Sequence, residues 1–151
     1  MFCLSSRMYT ISTDPAQLDV TAIHHYLSQE SYWAKGIPLE TVQRAIANSL
    51  NFGVYAPSGQ QVAYARIITD KATFAWLCDV FVLPAFQGQG IGKQLQAAIW
   101  AHAELQGLRR YLLATLDAHG LYRQFGFQDL AAPERYLEIR RPNPYGTPTA
   151  N

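Results

Sequence analysis

Cysteine is scarce, with two among 151 residues. Cys3 and Cys78 stand far apart and match no metal or redox spacing, which excludes a disulfide scaffold and points to a reducing cytoplasm. Neither sign of charge dominates: 12 basic and 11 acidic side chains leave a net +1. That balance argues against nucleic acid or an acidic membrane as the main partner. Long apolar runs are lacking. The longest, Phe74 to Phe86, is interrupted by Asp79 and Pro84 and is too short to cross a bilayer. Met1 to Met8 lacks a basic stretch followed by an apolar one, so no secretory leader is expected. Residues 1–8 read as a loose extension, with Met8 as a second candidate start. Metal-like clusters are also missing: His24, His25 and His102 have no ligand company and read as structural.

What is present suits one globular domain. Apolar residues make up 49% and charged residues 15%. A chain this long buries roughly 70% of its unfolded surface, enough for a core without staples.

Gly and Pro punctuate the chain into elements. Tyr9 to Thr13 reads as a strand. Asp14 and Pro15 open a helix reaching about Ser28, with Gln17 completing a capping box. After the loop Tyr32 to Ile37, Pro38 opens a second helix. Asn51 to Ala56 and Gln61 to Thr69 form a hairpin around Pro57-Ser58-Gly59-Gln60. Thr73 to Leu83 is a long strand ended by Pro84. A helix spans about Gly90 to Leu105, stopped by Gly107. Arg110 to Thr115 is a strand. Asp117 caps a short helix ended by Gly126. Phe127 to Leu130 and Arg135 to Arg140 read as closing strands, and residues 141–151 as a flexible tail. The order β-α-α-β-β-β-α-β-α-β predicts a mixed α/β sheet, mostly antiparallel, with one parallel crossover between strands 4 and 5.

The strongest local signal is Gln87-Gly88-Gln89-Gly90-Ile91-Gly92-Lys93, a glycine-rich turn between a buried strand and a helix. Such a turn presents backbone N–H groups beside the positive end of a helix, which suits a phosphate or pyrophosphate. A P-loop would need glycine where Gln87 stands and a hydroxyl where Gln94 stands. The dinucleotide fingerprint would need glycine at Lys93. Neither pattern is met, and the remainder is Gln-x-x-Gly-x-Gly.

That motif follows a strand ending in Val-x-Pro and precedes an amphipathic helix. Downstream lies Leu121-Tyr122-Arg123-Gln124-Phe125-Gly126-Phe127. Together they resemble the GNAT N-acyltransferase superfamily over roughly Tyr9 to Arg140. The resemblance implies a single-domain fold over residues 9–140, with strands 4 and 5 splayed apart. It implies acetyl-CoA as co-substrate, with no metal. The backbone at Phe81 and Val82 would pair with the pantetheine arm. Gln87, Gly88, Gln89, Gly90, Ile91 and Gly92, with Lys93 nearby, would hold the pyrophosphate. Thr115 stands where many members carry asparagine and would be the corresponding pantetheine contact, with a shorter side chain to reach it. A homodimer is common in the superfamily.

Acyl transfer to an amine needs a neutral amine, an oxyanion donor and a proton for the leaving thiolate. The resemblance places Tyr122 near the sulfur as general acid. A phenol of pKa about 10 can protonate a thiolate near 8.5 at a cost of only ~2 kcal/mol. The backbone N–H of Val82 is the candidate oxyanion donor. For the base, candidates are Asp79, the pair Asp117 and His119, or a water relay. Asp79 interrupts an apolar strand, so it needs either a cleft or a charge partner. Cys78, mid-strand among apolar neighbours, reads as inert, so direct attack in a ternary complex is expected.

The resemblance puts the acceptor pocket at the loop holding Tyr32, Trp33 and Lys35. The aromatic pair could stack on a substrate or cover the core. Lys35 and Arg44 would repel a polycation and could bind a carboxylate, which leans towards a small amino-acid-like amine. Two other readings stand beside the enzyme: a non-catalytic acyl-CoA-binding or sensing module, and a protein using the glycine loop for another nucleotide.

Overall fold

A computed structural model describes residues 8–146. The expected loose start falls outside these residues except for Met8, as do residues 147–151 of the expected tail. A five-stranded sheet runs in the order β1 (Thr10–Ser12), β2 (Leu50–Tyr55), β3 (Gln61–Thr69), β4 (Phe74–Val82) and β5 (Arg110–Leu113). β1 to β4 pair antiparallel, and β4 pairs parallel with β5.

Helices cover both faces. Between β1 and β2 lie α1 (Val20–His25), which continues as a π-helical turn over Tyr26–Glu30, and α2 (Leu39–Ala47). Their apolar stripes, Ile23 and Leu27 with Val42 and Ile46, pack on Tyr64 and Phe81. The other face carries α3 (Ile91–Ala101), whose Ile91, Leu95 and Ile99 pack on Phe52, Val54, Ala65, Ile67 and Leu77. A short α4 (His119–Arg123) follows β5.

The sheet's two faces are fixed by strand alternation, and β4 breaks that alternation once. Tyr64 pairs with Phe81 but Arg66 pairs with Cys78, so β4 holds one extra residue opposite Ala65. This is a β-bulge at Asp79, a non-glycine residue in the left-handed region (φ 54°). Before it, Ala75 and Leu77 face the α3 side; after it, Phe81 faces the α1–α2 side. One inserted residue therefore switches the strand's phase.

Four expectations are corrected. The first helix is split: Asp14 caps a 3-10 turn at Pro15–Gln17, Leu18 is extended, and Asp19 caps α1 by accepting from the Ala22 N–H at 3.0 Å. The helix after the glycine loop ends at Ala101, where His102 turns extended and caps a further 3-10 turn. Asp117 does not cap α4; the Thr115 hydroxyl accepts from the Ala118 N–H at 3.1 Å instead. Phe127–Leu130 and Arg135–Arg140 are not strands, because neither pairs with β5 or with the other among the described residues. At the start of the expected tail, Tyr145 packs against the α1–α2 cluster, with its Cβ beside Gly36.

Candidate active site

β4 and β5 pair only from Phe74–Leu77 against Arg110–Leu113. β5 then ends, while β4 bulges and continues to Val82. The gap is a cleft of about 540 Å³, walled by Trp76, Asp79 and Val80 on one side and by Leu113, Thr115 and Tyr122 on the other.

The backbone on the β4 side faces this gap. Leu83 N–H donates to the Val62 carbonyl at 2.9 Å. Hydrogen-bonded and non-bonded pairs alternate in an antiparallel ladder, so Val82, opposite Ala63, aims its N–H and C=O away from β3. Its carbonyl is met by the Gln87 side-chain amide at 3.0 Å. Its N–H points towards the opening. Phe81 is turned the other way: its ring stacks on Tyr26 at 4.1 Å and belongs to the core.

Beyond Val82 the chain turns through Pro84–Phe86 into the glycine loop. Gly88 and Gly90 both hold φ 81°, a conformation that costs other residues about 1–2 kcal/mol. Gly90 is the N-cap of α3, and the first intrahelical bond there is Gln94 N–H to Gly90 C=O at 3.1 Å. Among the described residues, none of the N–H groups from Gly88 through Lys93 has a protein partner. A continuous run of open donors at a helix N-terminus, with a lysine in its first turn, fits a pyrophosphate. Gln89 is held by the Tyr9 hydroxyl at 2.7 Å, which ties the loop to the N-terminal strand.

Tyr122 sits at the other end of the cleft and is 8% exposed. Burial, then Tyr32 and Asp117, raise its phenol above the ordinary value. A buried phenol disfavours its charged form, so the proton is retained at neutral pH.

Asp79 carries both a partner and a cleft position. Its carboxylate accepts from Trp33 Nε1 at 2.9 Å and from Arg66 Nε at 2.8 Å. Arg66 also donates to the Ser49 hydroxyl at 3.1 Å. Sequence reasoning singled out Asp79 but missed Arg66 and the bulge. The mid-strand charge was the one signal available.

Tyr32 and Trp33 line the cleft and are well exposed, their rings edge-to-face at 5.0 Å. The Tyr32 hydroxyl accepts from the Leu116 N–H at 3.3 Å, so this loop bridges to the β5 side. Lys35 turns away: its ammonium donates to the Gln29 carbonyl, and it does not line the cleft. Asp117 and His119 are separated. Asp117 borders the β4–β5 cleft, whereas His119 borders a second cavity beyond β5. Cys78 borders the cleft too, its thiol pushed up to about 12 by burial. Among the described residues no cluster of His, Cys, Asp or Glu could hold a metal ion, and no helix is long and apolar enough to cross a membrane.

The chain is similar to known proteins in sequence and fold. Residues 48–129 match the family model of the acetyltransferase (GNAT) domain. The Gibberella zeae protein FG08082, an acetyltransferase by name, is 34% identical over 80% of each chain. The thialysine N-epsilon-acetyltransferase of Mus musculus is 36% identical over 43% of this chain and 41% of its own. A crystal structure of a GNAT-family protein from Xanthomonas campestris pv. campestris superposes with a TM-score of 0.90 at 52% identity. That match covers 92% of this chain and 97% of the other. The splayed sheet, the glycine loop and these likenesses agree, and the chain belongs to the GNAT family of N-acetyltransferases.

Proposed function

We propose that this protein transfers an acetyl group from acetyl-CoA to the primary amine of a small, amino-acid-like acceptor, by direct attack within a ternary complex. The observation that carries this is the continuous run of open N–H groups from Gly88 to Lys93, leading past the outward backbone of Val82 to Tyr122. The loop would hold the pyrophosphate, and the β4 edge at Val82 would pair with the pantetheine arm as a missing strand does. Thr115, its hydroxyl already bonded to Ala118 N–H, offers less there than an asparagine would.

The chemistry then falls to groups on the cleft walls. The Val82 N–H donates to the thioester carbonyl as charge develops on its oxygen. The amine nitrogen forms the new bond to the carbonyl carbon while the carbon–sulfur bond breaks. Tyr122 gives its proton to the departing thiolate. The amine's surplus proton passes through water to Asp79. Each Asp79 oxygen accepts one protein hydrogen bond and keeps a lone pair for that water.

The acceptor enters beside Tyr32 and Trp33, whose ring faces suit a cationic or aromatic group. A relative named for acetylating thialysine supports an amino-acid acceptor. The lack of disulfide spacing supports a cytoplasmic setting. The test is thiol release from acetyl-CoA across a panel of amino acids, polyamines and a basic peptide. Saturable release with one amino-acid class supports the reading. Tight acetyl-CoA binding without release by any amine would favour a sensing module instead.

A further inference from the structure

The glycine loop has little packed around it. Gly88 and Gly90 flank Gln89, both at φ 81°, and a Cβ built on either meets nothing within 4 Å. Packing therefore does little to fix the residue between them, and glycine leaves a backbone more freedom than other residues do. Two side-chain hydrogen bonds hold the loop instead. The Gln87 amide donates to the Val82 carbonyl at 3.0 Å, and the Tyr9 hydroxyl donates to Gln89 Oε1 at 2.7 Å. The second bond comes from the residue just before β1, 80 positions away in sequence. Tyr9 is itself anchored. Its ring meets Phe86 edge-on at 6.5 Å and packs against the core on the α3 side of the sheet.

A primary amide has two unlike ends. Its oxygen only accepts, and its nitrogen carries two donors. A diphosphate offers oxygens alone, so it attracts the nitrogen end and repels the oxygen end. The Tyr9 hydroxyl claims the oxygen. Gln89 Nε2 is left without a protein partner among the described residues, in the same loop as the open backbone N–H groups of Gly88 to Lys93.

We propose, resting on the acetyl-CoA reading of this loop, that Tyr9 is a positioning residue for the diphosphate: it turns the Gln89 side chain so that its NH2 group joins the backbone donors. Tyr9 lies outside the loop and touches no cofactor atom itself; it acts through Gln89. The anchoring of β1, at the opposite edge of the sheet from β5, then bears on cofactor affinity.

Calorimetry of the full chain with acetyl-CoA tests this by comparing wild type with Tyr9→Phe, Gln89→Ala, the double variant and Gln89→Glu. Tyr9→Phe keeps the ring against Phe86 and loses only the hydroxyl, so its thermal melt should match wild type. Its acetyl-CoA affinity should fall roughly fivefold and that of Gln89→Ala roughly tenfold, the scale of one charge-assisted hydrogen bond. The double variant should bind no more weakly than Gln89→Ala, because the hydroxyl acts only through that side chain. Gln89→Glu keeps an acceptor for Tyr9 but sets a carboxylate against the diphosphate, so it should bind more weakly than Gln89→Ala. In wild type the Gln89 side-chain amide resonances, assigned by their loss in Gln89→Ala, should move downfield on saturation with acetyl-CoA, and this shift should shrink in Tyr9→Phe. Additive losses in the double variant overturn the proposal, as do equal affinities of Gln89→Glu and Gln89→Ala, or Gln89 amide resonances that stay in place. A wild type that binds acetyl-CoA while Tyr9→Phe matches it strikes the role of Tyr9 alone. A wild type that does not bind acetyl-CoA strikes the proposed function as well.

Discussion

The Asp79 cluster is the sharpest test of how the bulge is maintained. Asp79 sits in a left-handed conformation, and its carboxylate holds Trp33 and Arg66 with side chains 10% and 16% exposed for the ion pair. Asp79→Asn keeps the shape and tolerates the backbone angle, since asparagine visits this region readily. It removes the charge opposite Arg66 and turns an NH2 group towards one of two donors. Breaking a fully buried pair costs about 3–5 kcal/mol, and an exposed one about 0–1. This pair lies between, so about 2 kcal/mol is expected. Asp79→Ala loses both hydrogen bonds and adds a backbone penalty of roughly 1–2 kcal/mol, for about 3–4 in total. Asp79→Gly loses the bonds but relieves the strain, and should fall between the other two. For a chain of this size each kcal/mol lowers Tm by about 2–4 °C. Thermal melts should therefore rank the variants Asn, Gly, Ala in falling Tm, with Asn about 4–8 °C below wild type. An Ala variant as stable as Asn would refute the strain argument. An Asn variant matching wild type would refute the ion-pair argument.

Other consequences follow from the same geometry. Tyr122→Phe should lower kcat by ~10²-fold with acetyl-CoA affinity retained, read by steady-state kinetics and calorimetry; an unchanged kcat would remove the acid role. Because burial raises the Tyr122 phenol, the alkaline fall of kcat should lie above pH 10, and a fall centred well below that would assign it to another group. Gly90→Ala should weaken acetyl-CoA binding about tenfold and cost roughly 1–2 kcal/mol of stability, because φ 81° disfavours a Cβ. At Gly92 no positive φ is required and an added Cβ meets Val82 only at 4.0 Å, so Gly92→Ala should be much milder. Asp70 is held well below the ordinary carboxylate range by hydrogen bonds from Thr73, Ala72 and Phe74. A depressed native value stabilises the fold above the unfolded pKa of about 4, and that stability drains as pH falls further. Asp70→Asn should flatten the stability profile below pH 4, read by urea titration.

Much of this was legible from residues alone. Gly and Pro marked the hairpin, the end of β4 and the glycine loop, because those residues act on the backbone locally. Tyr122 and the loop were reached through motif and resemblance. What was not legible depends on contacts distant in sequence. The bulge leaves no glycine signature: aspartate occupies the left-handed position because Arg66 and Trp33 hold it there. The first helix splits because Asp19 offers a second cap and its backbone N–H donates to the Gln61 side chain at 2.7 Å. Neither Asp117 nor any other side chain caps α4, which starts from Ala118, and the Thr115 hydroxyl holds the Ala118 N–H just ahead of it, a local arrangement that spacing does not settle. Tyr136 to Arg140 alternates correctly for a strand, but a strand needs an edge to join, and among the described residues it reaches none.

The Gly88–Lys93 loop and the β4–β5 cleft together make the proposed acetyl-CoA site. Calorimetry of the purified chain with acetyl-CoA, and with CoA and ATP as controls, tests it most directly. Both CoA species should bind in the micromolar range at one site per chain, about tenfold more weakly in Gly90→Ala, with ATP silent. Failure of either CoA species to bind, or equal binding of ATP, would contradict it.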